Sequence, residues 1–372
     1  MTEPQPKKLS HYFTHSKRKG RPGLPLASVT MNDGLVLRED MDRKMDTSLS
    51  AEQHSLVEPG DIAYNMMRMW QGAFGLASAP VNVSPAYVVL RAKPTLDPRF
   101  AAHWLKSDRA LYLLWAFSYG LTDDRLRLYP KEFLQIPVQW PDLAQQQRIA
   151  AVLDAWDEAI AAATRLIVAN ERLGVSVMQN LFGDCHNPFQ VKGPPLGELA
   201  SVEYGKAVAE GEYAEDGSSW VLGTQGKMGT SNHADFVGEA IVVGRKGTLN
   251  NPIYVPDDQP FRSIDTTFVL KPRERCKALF FYLRHINLAK LNEASGVPSV
   301  SGDTLKSLPI PTLPDIVESA MTGIEGRLEE LKTHATLLRA QKRGLMQMLL
   351  TDRQCVPDQI DTLLPGASEV AA

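Results

Sequence analysis

Residues 250–254 read NNPIY, one substitution from the Asn-Pro-Pro-Tyr/Phe turn that holds an amino group for methyl transfer. Ile253 stands where the second proline belongs, and no glycine-rich strand-to-helix turn accompanies it to seat a methyl donor's nucleotide. A loop turn between two strands accounts for the same residues. The stretches GTQGKMGT (223–230) and GRKGT (244–248) hold glycine and lysine but lack the spacing that wraps a phosphate in backbone amides. They are either turns needing positive φ or backbone-clamping loops that meet DNA phosphates. His186 beside Cys185, His233 and His285 have no partners at ligand spacing, so no metal site is expected. The three cysteines, Cys185, Cys276 and Cys355, form no CxxC pair or disulfide framework. No G-x-S-x-G or H-E-x-x-H motif occurs, and acidic residues cluster only where a solvated face or turn explains them.

Cationic residues make a more coherent set. Lys17, Arg18 and Lys19 lie in SKRKGRPG, Arg68 follows a strand-like run, and Arg125, Arg127 and Lys131 lie in DRLRLYPK. The second half offers Lys206, Lys227, Arg245, Lys246 and Arg262, with Gln225 and Tyr204 interleaved. Arginine and lysine bind phosphates and guanine, while Asn and Gln read adenine. A formal net charge of -3 advertises no polyanion binder, but a local basic face is what matters.

These residues belong to a plan used twice. IPVQWPDLAQQQRIAAVLDAWDEAI begins at Ile136, and LPIPTLPDIVESAMTGIEGRLEEL begins at Leu308. Each joins a Pro-bounded extended run to a heptad-patterned helix, and the helices end in MQNLFGD and MQMLLTD. Upstream of each junction, strand-like runs (IAYN and YVVL, then AIVV and FVLK) precede an aromatic helix and a glycine, Gly120 or Gly296. Each globular segment is therefore α+β. Ile149, Leu153, Trp156, Ile160, Ala163 and Ile167 continue through Asn170 at alternating spacings of four and three. Val317, Met321, Ile324, Leu328, Leu331, Ala335 and Leu338 do the same through Lys342. That alternation is a coiled-coil seam, and each helix is expected to run about 50 Å. Asp142 and Asp315 suit the N-caps, and Asn170 and Lys342 would fix register. The chain is expected to form two target domains, 1–140 and 185–312. Two long antiparallel helices, 141–184 and 313–352, join them in a pseudo-twofold repeat, and 353–372 is a tail.

With 44% hydrophobic and 22% charged residues among 372, the composition is that of a globular protein of two or three domains. No run reaches the about 20 apolar residues of a membrane span, and the N-terminal residues lack a secretory apolar region. A cytoplasmic location is expected.

The duplicated order of variable domain, Pro junction and helix resembles the specificity subunit of type I restriction-modification systems over essentially the whole chain. The first junction follows that family's pattern through its Gln-rich first turn and Asp157. The second departs from it at Val317-Glu318-Ser319. The resemblance implies a non-catalytic chain whose two domains each read half of a bipartite, asymmetric double-stranded DNA target. Its helices would set the spacing and dock two modification methyltransferase subunits, with restriction-motor subunits joining for cleavage. S-adenosylmethionine, ATP and Mg would then belong to those partners, and this chain would bind none of them. The competing readings are a methyltransferase built on NNPIY, a solitary DNA-binding scaffold and a coiled-coil adaptor.

Overall fold

The computed structural model describes residues 6–41, 48–122, 125–183, 188–351 and 355–363. Asp184, Cys185, His186 and much of the tail beyond Asp352 lie outside the described residues. The chain divides into two units: residues 1–162 with 335–372, and residues 163–334.

Unit 1 opens with short strands bounded by Gly, Pro and Asp: β1 (Lys7–Lys8), β2 (Phe13–Ser16), β3 (Leu26–Val29) and β4 (Leu35–Leu37). They continue as β5 (Ser55–Val57), β6 (Ile62–Asn65), β7 (Phe74–Leu76), β8 (Val81–Val83) and β9 (Tyr87–Ala92). One four-stranded sheet, β2-β9-β6-β7, is wholly antiparallel. A second, β4-β3-β8-β5, contains the parallel pair β3–β8. Helices α1 (Pro98–Leu105), α2 (Asp108–Ala116) and α3 (Pro130–Phe133) follow, and β10 (Pro137–Val138) pairs with β1. The chain then enters α4 (Leu143–Phe182).

Unit 2 repeats the plan with α5 (Leu196–Leu199), β11 (Ala200–Tyr204), β12 (Ser219–Gly223), β13 (Gly226–Ser231) and β14 (Ala240–Gly244). Then come β15 (Ile253–Val255), β16 (Phe261–Ser263), β17 (Thr267–Pro272), α6 (Cys276–His285), α7 (Gly302–Lys306) and α8 (Ile316–Leu349). Its antiparallel sheet is β11-β17-β14-β15, and its second sheet, β13-β12-β16, again contains one parallel pair, β12–β16. Where β5 flanks β8 in unit 1, the described residues of unit 2 offer the single bridge of Phe236 to Phe261. Residue identities differ, but strand order and direction repeat.

The junctions are built differently. At the first, the Asp142 carboxylate accepts from the Gln145 amide at 2.9 Å and caps α4. The buried Gln146 donates to the Pro141 carbonyl at 2.9 Å and accepts the Asp97 amide at 3.0 Å. The Gln-rich turn thus fastens the start of α4 to the β9–α1 link, where Asp97 in turn caps α1 through the Arg99 amide. At the second junction Asp315 turns to Arg275 in an ion pair instead of serving as the expected cap. Ser319, at the place of Gln146, bonds only the nearby Ile316 carbonyl. Losing the glutamine therefore replaces a buried tie with an exposed one.

Apolar residues at alternating four and three place α4 against α8 in antiparallel sense within each unit. At 40 and 34 residues the helices are about 60 and about 51 Å long. Ile149, Leu153, Val317 and Met321 are buried, and Trp156, Ile160, Ile167, Ile324, Leu328, Leu331 and Leu338 are half-buried. Both polar seam residues bond across. In unit 2 the Asn170 amide donates to the Ile324 carbonyl at 2.8 Å, and in unit 1 Lys342 meets Asp157 at 2.5 Å. A lone polar seam residue selects register at a cost in stability. Asn170→Leu is accordingly expected to raise the unfolding free energy by about 1 kcal/mol. It should also lose the single helix alignment, read as mixed products when cysteines are cross-linked along the seam.

A half-exposed charge network around the buried His103 ties α1 to α4 in unit 1. His103 Nε2 lies 2.7 Å and Arg99 Nη1 3.3 Å from the Asp154 carboxylate. Burial would raise that carboxyl, but the hydrogen bond and charge of His103, with Arg99 and Lys342, outweigh it and hold it below its ordinary value. The folded group is the stronger acid, so its pairing stabilises fully above the unfolded pKa of about 3.9 and is lost as pH falls through the lower folded value. Asp154→Asn should remove this acid-limb dependence, so that urea midpoints at pH 6 and pH 3 differ less than in the parent.

Candidate nucleic-acid interface

Loops at corresponding places in the two units carry most of the cationic set. In unit 1 the β6–β7 loop presents the exposed Arg68, whose side chain reaches only Gln71, at 3.4 Å. The segment between α2 and α3 is fastened beside it. Leu128 donates its amide to the Met66 carbonyl at 2.9 Å, and the buried Tyr64 hydroxyl donates to the Leu128 carbonyl at 3.1 Å. Tyr119 and Arg127 exchange both backbone bonds at 2.9 Å, which leaves Arg125 and Arg127 exposed at the rim. Gly120 is required by this close approach, because a Cβ there would lie 2.6 Å from the Arg125 carbonyl oxygen. Lys131 is exposed in the first turn of α3.

Unit 2 repeats the fastening. Val300 donates to the Arg245 carbonyl at 3.0 Å, Gly247 to the Pro298 carbonyl at 2.8 Å, and Lys246 bridges Ser299. Arg245 and Lys246 thus occupy the loop that Arg68 occupies in unit 1. The Arg245 guanidinium lies 5.1 Å from the Tyr204 ring centroid and donates to the Asp265 carbonyl. Gln225 sits exposed at the β12–β13 hairpin tip, where Gly226 takes φ 128. Asn251 donates to the Thr224 carbonyl at 3.2 Å and holds that tip against the β14–β15 loop. Lys227 rides over Trp220 on the same hairpin. A Cβ on Gly296 would meet nothing, so its correspondence with Gly120 is one of position and not of packing.

Two of the cations, Arg262 and Arg18, serve the fold instead. Arg262 is 6% exposed, its Nε donating to Asp235 and its Nη1 to Glu212 at 2.8 and 2.9 Å. Its guanidinium staples two loops to β16. Arg18 meets the buried Asp61 at 2.7 Å and Glu58 at 3.4 Å. Lys17 and Lys19 are exposed on the β2–β3 loop, Lys19 bridging Ser55. Lys206, on the corresponding β11–β12 loop, stands 3.6 Å from Asp235 and 5.7 Å from the Phe236 ring centroid. The sequence reading passed over the exposed apolar residues of this surface: Met67, Tyr119 and Leu121, the last 96% exposed. An apolar residue inside a polar loop was the available signal.

NNPIY is occupied structurally. Ile253–Val255 is a strand paired with β14, Tyr254 donates its hydroxyl to Glu239, and Asn250 accepts the Leu288 amide at 2.9 Å. Asn251 is bonded to Thr224, so both asparagines of the motif serve contacts between loops. The Cys276 thiol is pushed up to about 12 by burial and by Glu239 and Glu318, which makes it a poor nucleophile. Among the described residues no three His, Cys, Asp or Glu side chains group to hold a metal ion, and no helix is long and apolar enough to cross a membrane.

No described protein family and no curated protein matches the sequence. Solved structures do match the fold. A type I restriction-modification system S subunit from M. genitalium aligns at 16% identity over 93% of this chain and 95% of that one, with a TM-score of 0.60. A chain solved in work on assembly and conformational transition of the type I R-M system aligns at 14% identity over 93% and 98%, with a TM-score of 0.56. The chain therefore has the fold of a type I restriction-modification S subunit.

Proposed function

We propose that this chain is the DNA-recognition subunit of a type I restriction-modification complex, each globular domain reading one half of a bipartite, asymmetric target. The observation that carries this reading is a pair of equivalent loops with different contents, β6–β7 with Arg68 in one unit and β14–β15 with Arg245 and Lys246 in the other. Arg125 and Arg127 are fastened beside the first, and Gln225 and Lys227 lie on the hairpin held against the second. One scaffold used twice with diverged loops suits two different half-sites. Residues 1–140 and 185–312 serve as reading domains, 141–184 and 313–352 as spacer helices and 353–372 as a tail. Lys17, Lys19, Lys131 and Lys206 contribute phosphate contacts, whereas Arg18 and Arg262 are committed within the fold and are left out.

The chain supplies the address and no chemistry. Two methyltransferase subunits, carrying S-adenosylmethionine, dock on the helices, and motor-nuclease subunits bring ATP and Mg. The complex works in the cytoplasm. The test is co-purification with a modification methyltransferase encoded beside the chain, followed by sequencing of methylated adenines. Two methyltransferases per chain and one split motif are expected. Methyl-donor binding by the chain alone would establish the enzyme instead. Specific DNA binding without any partner would make it a solitary scaffold.

A further inference from the structure

Helix α2 has an unusual outer face. Its inner face buries Ala110 and Leu114 in the unit 1 core, as amphipathic spacing requires. Outward, Tyr112 and Trp115 are 64% and 47% exposed, with ring centroids 6.1 Å apart. One turn earlier on that face stands Arg109, which lines a cavity of about 470 Å³ with Lys106, Arg339, Lys342 and Arg343. Asp108 and Asp157 line it as well, and Asp157 is paired with Lys342. Beyond the end of α2 comes Tyr119, 65% exposed and bridged to Arg127. Cationic side chains thus bracket a run of three exposed rings.

Among the described residues unit 2 has no such strip. After α6 its chain makes only the 3-10 turn Leu288–Leu291, whose two leucines are buried. The corresponding groove there carries Glu171 and Glu325 beside Arg284, with Arg284 and Glu325 paired. The feature therefore does not follow from the duplicated scaffold.

We propose that the outer face of α2, from Arg109 through Tyr112 and Trp115 to Tyr119 and Arg127, binds a single-stranded segment of nucleic acid. Duplex bases are stacked on one another and offer a protein only their edges, so exposed rings gain from a base only when it is unpaired. Aromatic platforms flanked by a cationic track are how proteins hold single strands without reading sequence. The polyanion's charge matches the bracketing arginines. Continuity with the Arg125–Arg127 rim would carry a strand directly from a duplex engaged there.

The experiment uses the intact chain with a fluorescent twelve-residue oligo-dT and, separately, a 20-base-pair duplex, read by anisotropy at two salt concentrations. The parent is expected to bind oligo-dT. Tyr112→Ala and Trp115→Ala should each weaken that binding by about fivefold or more and leave duplex binding unchanged. Tyr112→Phe and Trp115→Phe should retain it, because the ring remains. Arg109→Ala should weaken it and shallow its salt dependence. Should an alanine variant unfold, leucine at the same position, apolar but without a π face, replaces it in the comparison. The proposal is overturned if the parent does not bind oligo-dT, or if ring-free variants bind it as the parent does. It is equally overturned if oligo-dT and duplex affinities fall together. Loss of sequence-specific duplex binding with oligo-dT binding intact would sink the recognition reading alone.

Discussion

Trp140→Ala is expected to destabilise unit 1 by about 3–5 kcal/mol. Trp140 is buried at the first Pro junction, and its ring centroid lies 4.7 Å from Tyr12, 5.4 Å from Phe100, 5.2 Å from Trp104 and 6.4 Å from Phe13. It thus joins the N-terminal segment, β2 and α1 just before α4 begins. Against a domain stability of about 5–15 kcal/mol, that loss brings unit 1 close to unfolding. Calorimetry should resolve an early transition for unit 1 and leave that of unit 2 where it was. Trp140→Phe should cost much less. It keeps an aromatic ring and removes an indole N–H that is buried without a hydrogen-bond partner. Equal losses for both variants would show that a phenyl ring recovers none of the packing and that the indole's own shape sets the effect.

At the interface, Arg125→Ala or Arg127→Ala should each weaken binding to the cognate target by about 1–3 kcal/mol if the guanidinium reads a base. The loss would then appear on the cognate sequence and vanish on targets already altered at the base the arginine reads, so that specificity relaxes at that one position. If the side chain meets only phosphate, affinity should instead fall about evenly on every sequence, with a shallower salt dependence. Unchanged affinity on all sequences removes that residue from the site. Gly120→Ala is a useful companion, because its Cβ would collide with the Arg125 backbone and displace the whole rim. It should reproduce the loss of the arginine variants although the substituted residue bears no charge.

What could be read from the sequence is what depends on local periodicity. The four-three alternation from Ile149 and from Val317 already implies two seam-forming helices, because a helix repeats its face every few residues whatever surrounds it. β-branched runs such as IAYN and AIVV likewise announced β6 and β14, and the repeated Pro junction announced the duplication. The second sheet of each unit was not legible. Its defining parallel pairs, Leu26 with Asn82 and Trp220 with Phe261, join residues far apart in sequence, and short strands carry too few residues to declare a partner.

The site divides along the same line. Sequence marks which residues are cationic, but whether a cation is available depends on what the fold sets beside it. Arg262 and Arg18 look no different in sequence from Arg127, yet the fold brings Glu212 and Asp235 to the first and Asp61 to the second. A guanidinium held by buried or neighbouring carboxylates has its donors engaged, whereas Arg127, bridged only through its backbone to Tyr119, keeps its side chain at the surface. The sequence by itself determined the helices, the repeat and the stock of charge. Tertiary structure alone decided which of those charges face outward, because ion pairing follows distance in space and not along the chain.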